Sequence, residues 1–133
     1  MYGYVQGLPA FLAYFATGIV LLIAFSLVNT RVTPQREFSL VKEGNASAAT
    51  AFIGALIGFS LPLASAAANS VSLIDFAIWA AIGAVIQLFA FGCAVLSQPG
   101  LATRITNGEM GAGLWAGGIA LVFGILNAAC MTY

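Results

Sequence analysis

Residues 47–69 read SAATAFIGALIGFSLPLASAAAN, a run without Asp, Glu, Lys or Arg. At about 1.5 Å of rise per residue such a run is roughly 35 Å long as a helix, enough to cross one hydrocarbon core. Working outward, residues 8–28, 76–96 and 111–131 are equally free of charge and of similar length, and every charged residue lies between the runs. Overall the chain is 62% hydrophobic and 6% charged, with a mean hydropathy of +1.04, far from soluble-domain usage. The fold class that follows is an all-α integral membrane protein with four transmembrane helices. Four spans use most of the 133 residues and leave no extramembrane domain to house an active site. The formal net charge of zero suggests no nucleic acid. The first span has no basic residue ahead of it and is too long for a signal sequence, so it is expected to remain in the mature protein.

The basic residues set an expected orientation. Arg31, Arg36 and Lys42 follow the first span and Arg104 follows the third, while the other connection and both ends carry none. By the positive-inside bias, the two charged loops are cytoplasmic and both termini periplasmic. Tyr2, Tyr4, Trp79 and Tyr133 then fall at the outer interface and Trp115 at the inner one. Cys93 and Cys130 come to opposite depths, too far apart for a disulfide, and are expected as small buried apolar residues. With no histidine in the chain, no metal site is expected, and no cofactor.

A shift of about 64 positions lays Val41 on Ile105, Gly44 on Gly108, Ala48 on Ala112, Gly54 on Gly118 and Ala64 on Ala128. The order of span, basic loop and small-residue span also recurs. The expected organisation is two tandem two-helix repeats. Residues 1–70 hold spans 8–28 and 47–69 around a cytoplasmic loop 29–46. Residues 71–133 hold spans 76–96 and 111–131 around a loop 97–110. In the first loop, Thr33 as N-cap, Pro34 at the first helical position and a stop at Gly44-Asn45 predict a short interfacial helix. Its Phe38, Leu40 and Val41 form an apolar side, and Arg36, Glu37, Lys42 and Glu43 stay wet. With Asn45 these charged residues are the candidate docking surface for a cytoplasmic partner.

Small residues gather in the even-numbered spans. Gly54-x-x-x-Gly58 in the second, with Gly113-x-x-x-Gly117 and Gly118 in the fourth, predicts that these two helices pack closely, because in lipid close backbone approach drives association. Phe11, Phe15, Phe25, Phe89 and Phe91 direct the first and third spans more toward lipid. Gln87, near the middle of the third span, must face protein or water. Ser60 is its expected partner, and Pro62 deprives the Gly58 carbonyl of its helical donor, so Gln87, Ser60 and Pro62 form a candidate polar midplane, read either as a small hydrated site or as an interhelical hydrogen bond that fixes register. Asn69 and Asn127 are expected as caps or helix contacts, and Asp75 as a cap on the third span. The spans hold neither an acid, a base nor a histidine for proton relay, nor a nucleophile–base pair, so an enzyme is not expected.

Thr33-Pro34 to Glu37, Leu40-Val41, Gly44-Asn45, Ala48-Ala49, Gly54, Gly58 and Pro62-Leu63, with the ending Asn127 to Thr132 plus an aromatic, resemble the YjfL family of bacterial inner-membrane proteins (domain of unknown function 350). The resemblance covers essentially the whole chain. It implies two copies of a two-span unit, a bacterial inner membrane and no characterised activity. It also points to envelope-stress partners of the phage-shock-protein-A kind. One departure is Glu109, which stands where the first half has Asn45. The leading reading is a non-enzymatic, oligomeric scaffold that docks partners in the envelope stress response. The alternative is an oligomeric channel or transporter for a small ion or solute, lined by the second and fourth spans near Gln87 and Ser60.

Overall fold

The structure, a computed structural model, describes residues 2–32 and 37–131, with side chains from 7 to 31 and from 38 to 131. Six helices follow in order: α1 (Tyr2–Val32), α2 (Glu37–Lys42), α3 (Ala46–Asn69), α4 (Leu73–Ser97), α5 (Leu101–Thr106) and α6 (Met110–Cys130). Four of them, α1, α3, α4 and α6, are long and apolar enough to cross a membrane. α1, α3 and α4 extend past the charge-free runs where nothing stops the backbone, while α6 matches its run to within a residue: hydrophobicity sets the length of a span, whereas caps set the length of a helix.

The caps can be read from the residues. Ser72 Oγ accepts from the Asp75 amide at 3.1 Å and Asp75 Oδ2 accepts from the Val71 amide at 3.2 Å, a reciprocal cap that starts α4. Gly44 (φ +85°) and Gly108 (φ +83°) close the two short helices. The Gly44 amide donates to Val41 and the Asn45 amide to Leu40; 64 positions on, Gly108 donates to Ile105 and Glu109 to Arg104. Both are left-handed glycine stops with paired bonds back into the last turn. The short helix predicted in the first loop is thus present as α2, although Thr33, Pro34 and Arg36 lie outside the described residues.

α3 and α6 run parallel along their whole length. Ser47 meets Gly113 and Glu109 at one end, and Ser65 meets Ala128 at the other. α4 lies antiparallel across both, with Gln87 on Ala120 and Ser97 on Trp115. α1 packs from outside on α3 and α4, anchored by a Phe25–Phe59 ring stack at 4.4 Å and a Tyr14–Phe76 stack at 5.5 Å. Two cores result. One is aromatic, with Phe25, Phe59, Leu63, Phe76 and Met131. The other, at the loop end, is built on Ala48, Ala51, Ala94, Ala112 and Ala116 under Leu101 and Ile105.

Two expectations are corrected. α1 faces outward as foreseen, apart from Phe25, which turns inward and is 3% exposed, but α4 is as enclosed as α6, with 28% of each span buried, against 44% for α3 and 6% for α1. Bridging two helices encloses α4 despite its phenylalanines. Cys93 and Cys130 are free and exposed on the surface, not buried. Toward lipid a thiol behaves as a small apolar group, so the outward position is tolerated.

Candidate functional site

Glycine builds the α3–α6 seam by absence. A Cβ on Gly117 would stand 2.7 Å from the Thr50 carbonyl oxygen. Methyl groups on Gly54, Gly58, Gly113 or Gly124 would meet the backbone of Gly117, Ala120, Ser47 and Gly58 respectively. Gly54, Gly58, Gly113 and Gly117, foreseen as packing residues, all lie on this seam. Gly118 does not share it: nothing lies within 4 Å of its Cβ direction. One residue beyond Gly117 is a turn of about 100°, which carries it off the seam.

Gln87 sits where α3, α4 and α6 meet, 2% exposed. Its Nε2 donates to the Ala120 carbonyl at 3.1 Å, and its Oε1 has no protein partner. Ser60 is not brought to it: the hydroxyl donates to Ile57 in its own helix at 2.9 Å, and the residue lines a groove beside α1. Gly58, two residues earlier, is the one facing Gln87. Pro62 is buried at the same junction, near Gly83, and Asn127 approaches Gly83 from α6. α3 continues as helix through Pro62, and the carbonyl freed from its helical donor abuts Gly124. Gln87 therefore works as a clasp between helices. Gln87→Leu is expected to cost less than about 1.5 kcal/mol, because Ala120 keeps its own helical donor and a buried, unpaired oxygen is removed. Thermal unfolding in detergent checks this; a loss of folding would show the amide to be essential.

The loop end carries the denser polar network. Asn45 Oδ1 accepts from the Ala48 amide at 3.0 Å, capping α3, while its Nδ2 donates to the carbonyls of Ile105 (2.9 Å) and Thr106 (3.2 Å) on α5. Ser47 Oγ donates to the Glu109 carbonyl at 2.6 Å. Arg104 pairs with Glu109 at 3.2 Å and donates to Gln98 at 3.1 Å. Trp115 donates its indole N–H to Ser97 at 2.9 Å, which places it at the polar end as an interfacial Trp requires. Glu109 makes no side-chain cap on α6, so its replacement of Asn45 leaves the two halves chemically different. An exposed ion pair of this kind contributes little by itself.

Of the candidate docking residues, Lys42 and Glu43 are exposed. Asn45 is engaged within the protein. Arg36 lies outside the described residues, as does the side chain of Glu37. Sequence reasoning passed over Ser47 and Asn29, buried at 1% and 4%. Hydroxyls and amides near span ends are common, and only the neighbouring helix reveals their burial. Among the described residues no group of His, Cys, Asp and Glu is placed to hold a metal ion.

The profile of the family described as Domain of Unknown Function (DUF350) matches residues 3–131. The chain is 43% identical over 128 residues to the UPF0719 inner membrane protein YjfL of Escherichia coli strain K12, covering 96% of this chain and 97% of that protein. It is equally similar to the protein of the same description in Escherichia coli O157:H7. No solved structure matches.

Proposed function

The chain belongs to the DUF350 family, and from that premise we propose that it is a non-enzymatic scaffold, assembled from several copies, that presents a cytoplasmic platform to protein partners. It is a multi-pass protein of the bacterial inner membrane, as its relative's description has it. The loop end faces the cytoplasm in this reading, on the strength of Arg31, Lys42 and Arg104 gathered there. Two tandem hairpins form the unit, a reading supported by the same glycine stop 64 positions apart.

The observation that carries the proposal is the locking of that end. Asn45 and Ser47 tie α3 to α5 and to the start of α6, so α2, with Lys42 at its end and Glu43 just after it exposed, stands on a braced base. The polar side chains of Gln87 and Asn45 are engaged in holding helices together, which supports scaffolding over chemistry and gives a pore no polar lining from Gln87. The partner class is an envelope-stress protein of the phage-shock-protein-A kind.

A photoreactive amino acid at position 42 or 43, irradiated in living cells, tests the platform. Reproducible capture of that partner from 42 and 43, and none from lipid-facing Ile125, is the expected result. Capture of lipid or nothing from all three positions would remove the docking role.

A further inference from the structure

The α3–α6 contact joins unlike faces. Gly44 and Gly108 align the two hairpins, so residue 47 of α3 corresponds to 111 of α6, and so on along both helices at an offset of 64. Toward α6, α3 presents Ser47, Gly54, Gly58 and Ser65; toward α3, α6 presents Gly113, Gly117, Gly124 and Ala128. In the shared register that second set corresponds to positions 49, 53, 60 and 64 of α3. At 3.6 residues per turn these lie about 130° around the helix from 47, 54, 58 and 65. A contact between unlike faces is heterologous and leaves one copy of each face uncovered. Both uncovered faces are open in the structure. Ile53 is 54% exposed and Ala64 is exposed on α3; Gly111, Val122 and Ala129 are exposed on α6, and the space beside Gly118 is empty.

The surroundings of these faces say what fits. Within the chain, α3 lies in the angle between α4 and α6. The corresponding angle, between α1 and α3, is an apolar groove of about 450 Å³ walled by Phe11, Phe15 and Ile19 on one side and Ser60, Ala64 and Ala67 on the other. The loop helices repeat the asymmetry. Ile105 of α5 is 0% exposed, packed with Ala48 of α3, whereas Val41 at the matching place on α2 is 41% exposed.

We propose that α6 of a second copy of this chain fills the α1–α3 groove, repeating between chains the contact that α3 makes with α6 inside one. Carrying the internal pairs over by the shared register gives Ala49 against Gly111, Ile53 against Gly118, Ser60 against Val122 and Ala64 against Ala129. Each pair has at least one Gly, Ala or Ser, which is the condition for close approach of helices in lipid. α6 has no charge to bury, and its arrival covers Val41. The contact is head-to-tail, so chains add in one direction and close into a ring if the rotation allows. This rests on the oligomeric part of the proposed function and specifies its interface.

Cysteine pairs in native membranes decide it. In a background carrying Cys93→Ser and Cys130→Ser, chains with Ile53→Cys and Gly118→Cys together should oxidise with copper phenanthroline into a ladder of multimers. Co-expressed single variants should give one dimer band, and either single alone none. Self-linking of a single variant would indicate a twofold contact and overturn the proposal. So would silence of this pair and of an Ala64→Cys, Ala129→Cys pair. Native-lipid mass spectrometry then separates the two ideas: multimers would leave assembly standing through another face, and monomers would end both. Adding Gly118→Phe should abolish the Ala64–Ala129 ladder while leaving the monomer's thermal midpoint unchanged, since a Cβ at 118 meets no neighbouring helix within 4 Å. A ladder that survives Gly118→Phe would overturn the proposed face.

Discussion

Gly117→Leu is expected to abolish the folded bundle, while Gly118→Leu, one residue along, leaves the monomer folded. The difference lies in what each Cβ would meet. At Gly117 it would stand 2.7 Å from the Thr50 carbonyl and 3.6 Å from the Ala51 Cα, both backbone atoms that cannot rotate aside. At Gly118 it would meet nothing within 4 Å. Overpacking typically costs about 1–3 kcal/mol where side chains can adjust. A leucine against rigid backbone should cost about 3 kcal/mol or more, a large part of a total stability of roughly 5–15 kcal/mol. The loss is compounded because α3–α6 association depends on van der Waals contact and has little hydrophobic drive in lipid. Gly54→Leu should behave like Gly117→Leu, since its side chain would fall on the Gly117 backbone. Thermal unfolding monitored by size exclusion in detergent checks the pair. Equal stability of the Gly117→Leu and Gly118→Leu variants would mean that the backbone seam is not what holds the bundle.

Asn45→Ala is expected to destabilise by about 2–3 kcal/mol, and Asn45→Asp by nearly as much. The alanine loses the cap on α3, worth about 1 kcal/mol, and the amide bonds to Ile105 and Thr106, worth about 1 kcal/mol each when net solvation is counted. The aspartate retains an oxygen for the Ala48 amide and adds a favourable charge at a helix N-terminus. It loses the Nδ2 donor, however, and turns a carboxylate toward two carbonyl oxygens that the asparagine now satisfies. Wild-type stability in the aspartate variant would show that the cap alone mattered and that the tie to α5 is incidental. Reduced stability in both would show that the Asn45 amide, beside the Ser47 bond to Glu109, helps join the two hairpins at their loop end.

The four spans were legible because crossing a hydrocarbon core demands long charge-free helices. The small-residue pattern likewise pointed to the pairing of α3 with α6. The glycine stops were legible too: Gly44 and Gly108 stand where a left-handed residue must end a short helix. What misled was rotation about the helix axis. Gln87 and Ser60 share a depth, but depth does not say which way a side chain points, and Ser60 faces the groove beside α1 while Gln87 faces α6. Gly118 was grouped with Gly117 for the same reason, and the cysteines were placed inside on average behaviour of the residue type.

The order of residues alone thus sets the number of spans, their approximate limits, the loop stops and the choice of helices that touch through glycine. Each of these follows from a local or one-dimensional quantity: hydrophobic length, backbone conformation, side-chain size. Packing in three dimensions settles the rest: which face of α3 meets which face of α6, that Asn45 reaches α5, and that α4 is enclosed while α1 stands off with an open groove beside it. Those depend on the azimuth of every helix against its neighbours, and in a chain this uniformly apolar no amphipathic stripe announces that angle in advance.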